Sequence, residues 1–146
     1  MTKTVFGFVA AWMILPAFAW AQVNLNGGWA GYITQNSPTA IADNYQFKLF
    51  VYTDGDRLEG TTEIRLWNNE SVYGIMRISG KQQGNVIRFT ELEIMEQNIS
   101  KFAYWCLKEI TLKYSDENGV EKLTGSWQNQ LCNGPGEIYL ERLPST

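Results

Sequence analysis

Apolar and polar residues alternate with a period of two along much of residues 22–146. The alternation is cleanest between residues 57 and 67, where Leu58, Gly60, Thr62, Ile64 and Leu66 oppose Arg57, Glu59, Thr61, Glu63 and Arg65. Such a segment buries one face of a strand and wets the other, as in an antiparallel sheet. Residues 45–52 repeat the pattern with Tyr45, Phe47, Leu49 and Val51 on one face. A first strand lies within residues 22–35, with Trp29, Gly31 and Ile33 alternating against Ala30 and Tyr32. Further strands are predicted at 72–79, 86–95, 102–114, 122–131 and 136–143. Helical periodicity is not sustained anywhere, although after the loop chemistry of Asn36-Ser37-Pro38-Thr39 the stretch to Asn44 has room for a short helical turn.

The segments are separated by turn chemistry. Asp54-Gly55 and Asn118-Gly119 are hairpin signals, because glycine and asparagine accept the positive φ of a tight turn. Asn68-Asn69, the stretch from Gly80 to Asn85, and Asn133-Gly134-Pro135 mark other turns, and 96–101 forms a polar break. Consecutive hairpins imply an all-β, antiparallel up-and-down barrel of about eight strands, since closure removes edges that invite aggregation. A β-sandwich is the alternative.

Residues 1–21 change the context. Lys3, an apolar run from Val5 to Phe18, and Ala19-Trp20-Ala21 have the anatomy of a signal peptide. The run falls short of the roughly 20 residues that span a bilayer. The reading is therefore a leader (1–21) and a single barrel domain (22–146), secreted or periplasmic after cleavage near Ala21. Export favours oxidation, and the predicted hairpin register puts Cys106 and Cys132 within about one residue of facing each other. A disulfide is expected there, with two free thiols or part of a metal site as the other options.

The chain's net charge is −3 and it has no basic run, which argues against nucleic acid or an anionic membrane as partner. Integral insertion is disfavoured by the charged face of residues 57–65. The sequence contains no histidine. That removes histidine-based acid–base catalysis, Ser-His-Asp triads and imidazole metal ligands. No catalytic residue, metal or cofactor is expected, and the chain reads as a non-enzyme.

The opening Gly27-Gly28-Trp29 and the late Arg142 carry a resemblance to the calycins, the lipocalin and avidin group. In lipocalins a Gly-x-Trp element starts the first strand and a late basic residue packs over the Trp ring. The resemblance implies a structural pairing of Trp29 with Arg142 and an eight-stranded barrel, and it carries over no ligand.

Candidate binding residues follow from the strand faces. Trp67 and Trp105 break the alternation of their segments and are the candidates for an exposed recognition surface. Lys108 and Asn129, with Thr62, alternate in register with apolar positions, as does Trp127. These polar side chains either satisfy one another or face a cavity. The fifth strand has mixed faces: Arg88 and Thr90 go with Leu92, and Glu91 and Glu93 with Phe89. The acids Glu91, Glu93 and Glu96 are read as a solvated face rather than a glycosidase carboxylate pair. The candidate set is thus Trp67, Arg88, Trp105, Lys108, Trp127 and Asn129. It suits an exported binding protein that takes a small apolar or sugar-like ligand in the barrel interior or open end. The alternative is a protein–protein module, such as an inhibitor of another exported protein.

Overall fold

A computed structural model describes residues 22–132 and 134–145. The proposed leader at 1–21, and Asn133 of the last turn, lie outside the described residues. Eight antiparallel strands close into a barrel in chain order: β1 (Gly27–Thr34), β2 (Asn44–Asp54), β3 (Arg57–Arg65), β4 (Tyr73–Gln83), β5 (Val86–Asn98), β6 (Glu109–Glu117), β7 (Val120–Gln128) and β8 (Gly136–Arg142). The up-and-down order holds throughout, and β8 pairs with β1 from Trp29↔Arg142 to Ile33↔Ile138. No helix occurs among the described residues. The stretch after Thr39, where a helical turn had room, is irregular up to the start of β2, and a single turn from Ser37 to Ala40 falls in the loop before it.

One end of the barrel is built from two-residue turns. Gly55 and Gly84 each take positive φ at the first turn position, and Asn118-Gly119 does so at both. The last hairpin pairs Glu117 with Val120, the register expected from the sequence. Residues 22–26 fold across this end. Leu25 is fully buried, and Gln82 Nε2 donates to the Val23 carbonyl at 2.7 Å.

Several boundaries differ from the sequence reading. The fourth strand continues through the supposed turn at 80–83, because Gln82 is an inward residue whose amide is satisfied by residues 22–26 and whose backbone N–H reaches the Asp56 carbonyl. The third strand stops at Arg65 and the seventh at Gln128. The fifth runs on to Asn98. The sixth begins at Glu109 rather than at residue 102, since the Glu91 carboxylate captures the Lys108 backbone N–H and the chain before it leaves the sheet.

The interior below the mouth is filled by Trp29, Phe47, Leu49, Leu58, Met76, Ile87, Leu112, Leu123 and Leu140, all essentially without exposure. Trp29 donates its indole N–H to the Leu25 carbonyl at 3.0 Å. Arg142 lies over the Trp29 ring, 4.3 Å from its centroid, as the sequence suggested. Its guanidinium also donates to the Asn24 and Asn26 carbonyls and to Glu121. One side chain therefore joins β8, β1, β7 and the N-terminal segment. The hydrogen bond from Arg142 chiefly, and that from Tyr114 in addition, hold the Glu121 carboxyl below its ordinary pKa.

Arg142→Met keeps apolar cover over Trp29 but loses the charge and its donors. It is expected to lower stability by about 2 kcal/mol in urea denaturation at neutral pH. A group with a depressed folded pKa stabilises above its unfolded value and loses that contribution as pH falls through the folded one. The gap between wild type and variant should therefore narrow below about pH 4.5, the ordinary value for this carboxyl. A gap that stays constant on acidification would show that the Glu121 pairing contributes nothing.

Candidate functional site

The opposite end of the barrel has long connections: residues 35–43, 66–72, 99–108 and 129–135. Two of them are tied by the Cys106–Cys132 disulfide, whose Cα atoms are 6.3 Å apart across a sequence separation of 26. Residues 99–108 cross the mouth. Trp105 is drawn down onto β4, where its indole N–H donates to the Tyr73 carbonyl at 3.0 Å. Gly74 makes room for it, because a Cβ there would lie 2.7 Å from the indole ring. Tyr45 meets Trp105 edge to face with ring centroids 5.8 Å apart, and burial pushes the Tyr45 phenol above its ordinary pKa.

Beneath this crossing lies a cavity of about 370 Å³. Its inner wall is Ile33, Tyr45, Ile64, Trp105, Lys108 and Trp127, and its rim includes Ile41, Phe102, Tyr104 and Leu131. The volume lies within the ordinary range for small-molecule sites, and the mix of apolar wall with a few polar groups is typical of them. The rim is strongly apolar for a surface, with Phe102 and Leu131 each 87% exposed.

Lys108 is the one charged residue on this wall, and its side chain is almost wholly buried. Its ammonium pairs with Glu91 Oε2 at 2.9 Å and donates to the Cys106 carbonyl at 3.1 Å. The Phe47 ring centroid is 6.0 Å away, at the limit of cation–π range. Glu91 accepts three hydrogen bonds, with both of its oxygens engaged. Its Oε1 accepts from the Thr62 hydroxyl at 2.6 Å, and its Oε2 accepts from both the backbone and the side chain of Lys108. This polar cluster bridges β3, β5 and the start of β6 through the interior, and every member is hydrogen-bonded.

The candidates separate on the structure. Trp105, Lys108 and Trp127 come together on the cavity wall. Trp105 was expected on an exposed surface, yet it is only 7% exposed, because it belongs to a mouth-crossing loop rather than to a strand's outer face. Trp127 is buried with its N–H on the Thr34 carbonyl. Trp67 is exposed at 55%, on the β3–β4 connection, apart from the cavity wall. Arg88 projects from the outer face of β5 and lines a separate open groove. Asn129 is half-buried and serves the β7–β8 connection, donating to the Leu107 carbonyl and accepting from the Leu131 N–H.

Glu91 is a correction. The sequence placed it on a solvated face with Glu93, but the β4–β5 register pairs Ile78 with Glu91 and Arg77 with Glu93, leaving Leu92 as an extra residue. Glu91 keeps the inward phase of Ile87 and Phe89, and the bulge just beyond it turns Glu93 outward, where it meets Arg77 at 2.8 Å. Sequence reasoning missed Tyr45, Ile64 and Ile33 as wall residues, because they are indistinguishable in pattern from core positions.

Two outcomes test the site's construction. Glu91→Ala strands a buried ammonium and should destabilise the barrel by about 3–5 kcal/mol, whereas Glu91→Leu with Lys108→Met should recover most of that loss. A double variant as unstable as the single one would show that the pair is an indispensable stabiliser. Separately, Cys106→Ser with Cys132→Ser should cost roughly 3 kcal/mol in denaturant, and an unchanged midpoint would deny the bridge any stabilising role.

No protein-family model matches the chain, and comparisons with curated proteins and with solved structures likewise return no match.

Proposed function

We propose that this chain is a calycin-like exported binding protein, without catalytic activity, that holds a small apolar ligand in the mouth of its barrel. The observation that carries the reading is the cavity of about 370 Å³ framed by Ile33, Ile64, Tyr45, Trp105 and Trp127 beneath a disulfide-tethered crossing loop. The remainder of the barrel is packed, so binding concentrates at one end. The Gly-x-Trp start of β1 and the cover of Trp29 by Arg142 support the calycin comparison. A chain without histidine supports binding over catalysis.

A second reading, a module that docks on another exported protein, draws on the exposed rim. Phe102, Tyr104 and Leu131 project at the same end as the cavity, as aromatic anchors do at protein interfaces. The small-ligand reading is preferred because the wall behind the rim is already shaped into a concave site.

Incubation with a panel of small apolar compounds should raise the melting temperature and shift tryptophan emission, since Trp105 and Trp127 form part of the wall. Ala40→Trp, which puts an indole into the cavity from its rim, should abolish both responses while leaving the unliganded melt close to wild type. Retention of the emission shift in Ala40→Trp would place binding elsewhere and sink this reading.

A further inference from the structure

The cavity's polar chemistry narrows the class of ligand. Resting on the reading just given, we infer that the mouth cavity takes an apolar molecule carrying an uncharged hydrogen-bond acceptor, such as a ketone, ester or amide carbonyl, and that Lys108 is the donor that reads it.

The inference comes from counting donors. An ammonium has three N–H bonds. Lys108 directs one to Glu91 and one to the Cys106 carbonyl, which leaves one for the cavity that the residue lines. The indole N–H of Trp105 is taken by Tyr73, and that of Trp127 by Thr34. Lys108 is thus the charged group on this wall with a donor to offer, and the Tyr45 phenol is the neutral one. A ligand with no acceptor would cover that buried N–H without pairing it, which is unfavourable.

Charge selects between acceptors. The Glu91 carboxylate sits 2.9 Å from the Lys108 ammonium, and the two cancel. An anionic ligand would place a second carboxylate beside the first around a single ammonium whose side chain, like that of Glu91, is almost wholly buried. Like charges so placed repel strongly. A neutral carbonyl meets the free N–H without that penalty. The exclusion of carboxylates is therefore written by Glu91, which does not itself line the cavity, and the attraction by Lys108.

Three probes on one carbon skeleton test this by calorimetry: butylbenzene, butyrophenone and 4-phenylbutanoate. Each ligand's hydration is the same whichever protein it meets, so the informative quantity is how ratios of Kd change between proteins. The ketone's affinity relative to the hydrocarbon should fall about tenfold from wild type to the charge-free Glu91→Leu, Lys108→Met protein. Glu91→Gln removes the negative charge while its amide oxygen can still accept from Lys108 and its NH2 can donate to the Thr62 hydroxyl, so the carboxylate should gain at least about tenfold relative to the ketone. Unchanged ratios in both variants overturn the inference while leaving the cavity reading intact. If none of the three probes binds wild type, the cavity reading itself fails. Should Glu91→Gln not fold, the charge-free pair still decides the role of Lys108.

Discussion

A sheet of eight strands closed on itself leaves an interior so narrow that side chains decide, position by position, whether it is solid or hollow. Here closure brings β8 against β1 and sets Arg142 directly beside Trp29. The ring fills the closed end, and the guanidinium clamps residues 24–26 over it. Everything above depends on that seal. With the lower interior occupied by Trp29, Leu49, Leu58, Leu112 and Leu140, water has no route from below, and the space under Trp105 becomes a blind cavity rather than a channel.

The polar cluster divides the packed interior from the hollow one. Two opposite charges out of water cost several kcal/mol each in desolvation, and a hydrophobic pair of similar volume would serve packing as well or better. Glu91 and Lys108 are nevertheless held by Thr62, the Cys106 carbonyl and each other, with one ammonium N–H of Lys108 left over. A leucine in place of Lys108 would leave the wall without a charge. The pair instead places a single oriented donor at a defined point on that wall, with its charge compensated behind it. Specificity is a more economical account of such an arrangement than stability.

The architecture was legible because it rests on local signals. Alternation in residues 45–52 and 57–65, and the glycine or asparagine at three tight turns, each specify their own piece of the barrel without reference to distant residues. The disulfide was legible for the same reason, since Asn118-Gly119 fixes the register that brings Cys106 near Cys132. The site was less so. Glu91 looks like one of several alternating acids until a bulge at Leu92, set by the pairing of β5 with β4, reverses the phase of the strand beyond it. Trp105 broke the alternation of its supposed strand, and that irregularity was a true signal with the wrong interpretation. It marked a departure from the sheet, not a side chain left in solvent.

That contrast follows from how the two ends are made. Two-residue turns at the closed end have almost no conformational freedom, so their sequences are constrained and readable. The four long connections at the open end must instead be held by tertiary contacts: the Cys106–Cys132 bridge, the Trp105 indole on Tyr73, and Asn129 spanning from Leu107 to Leu131. Loops carried on a rigid scaffold are where binding chemistry ordinarily collects. Their lengths allow Phe102, Tyr104 and Leu131 to stand out at the rim while Trp105, between them in the chain, turns in. The features that place the cavity are therefore contacts between residues far apart in sequence, and no period along the chain encodes them.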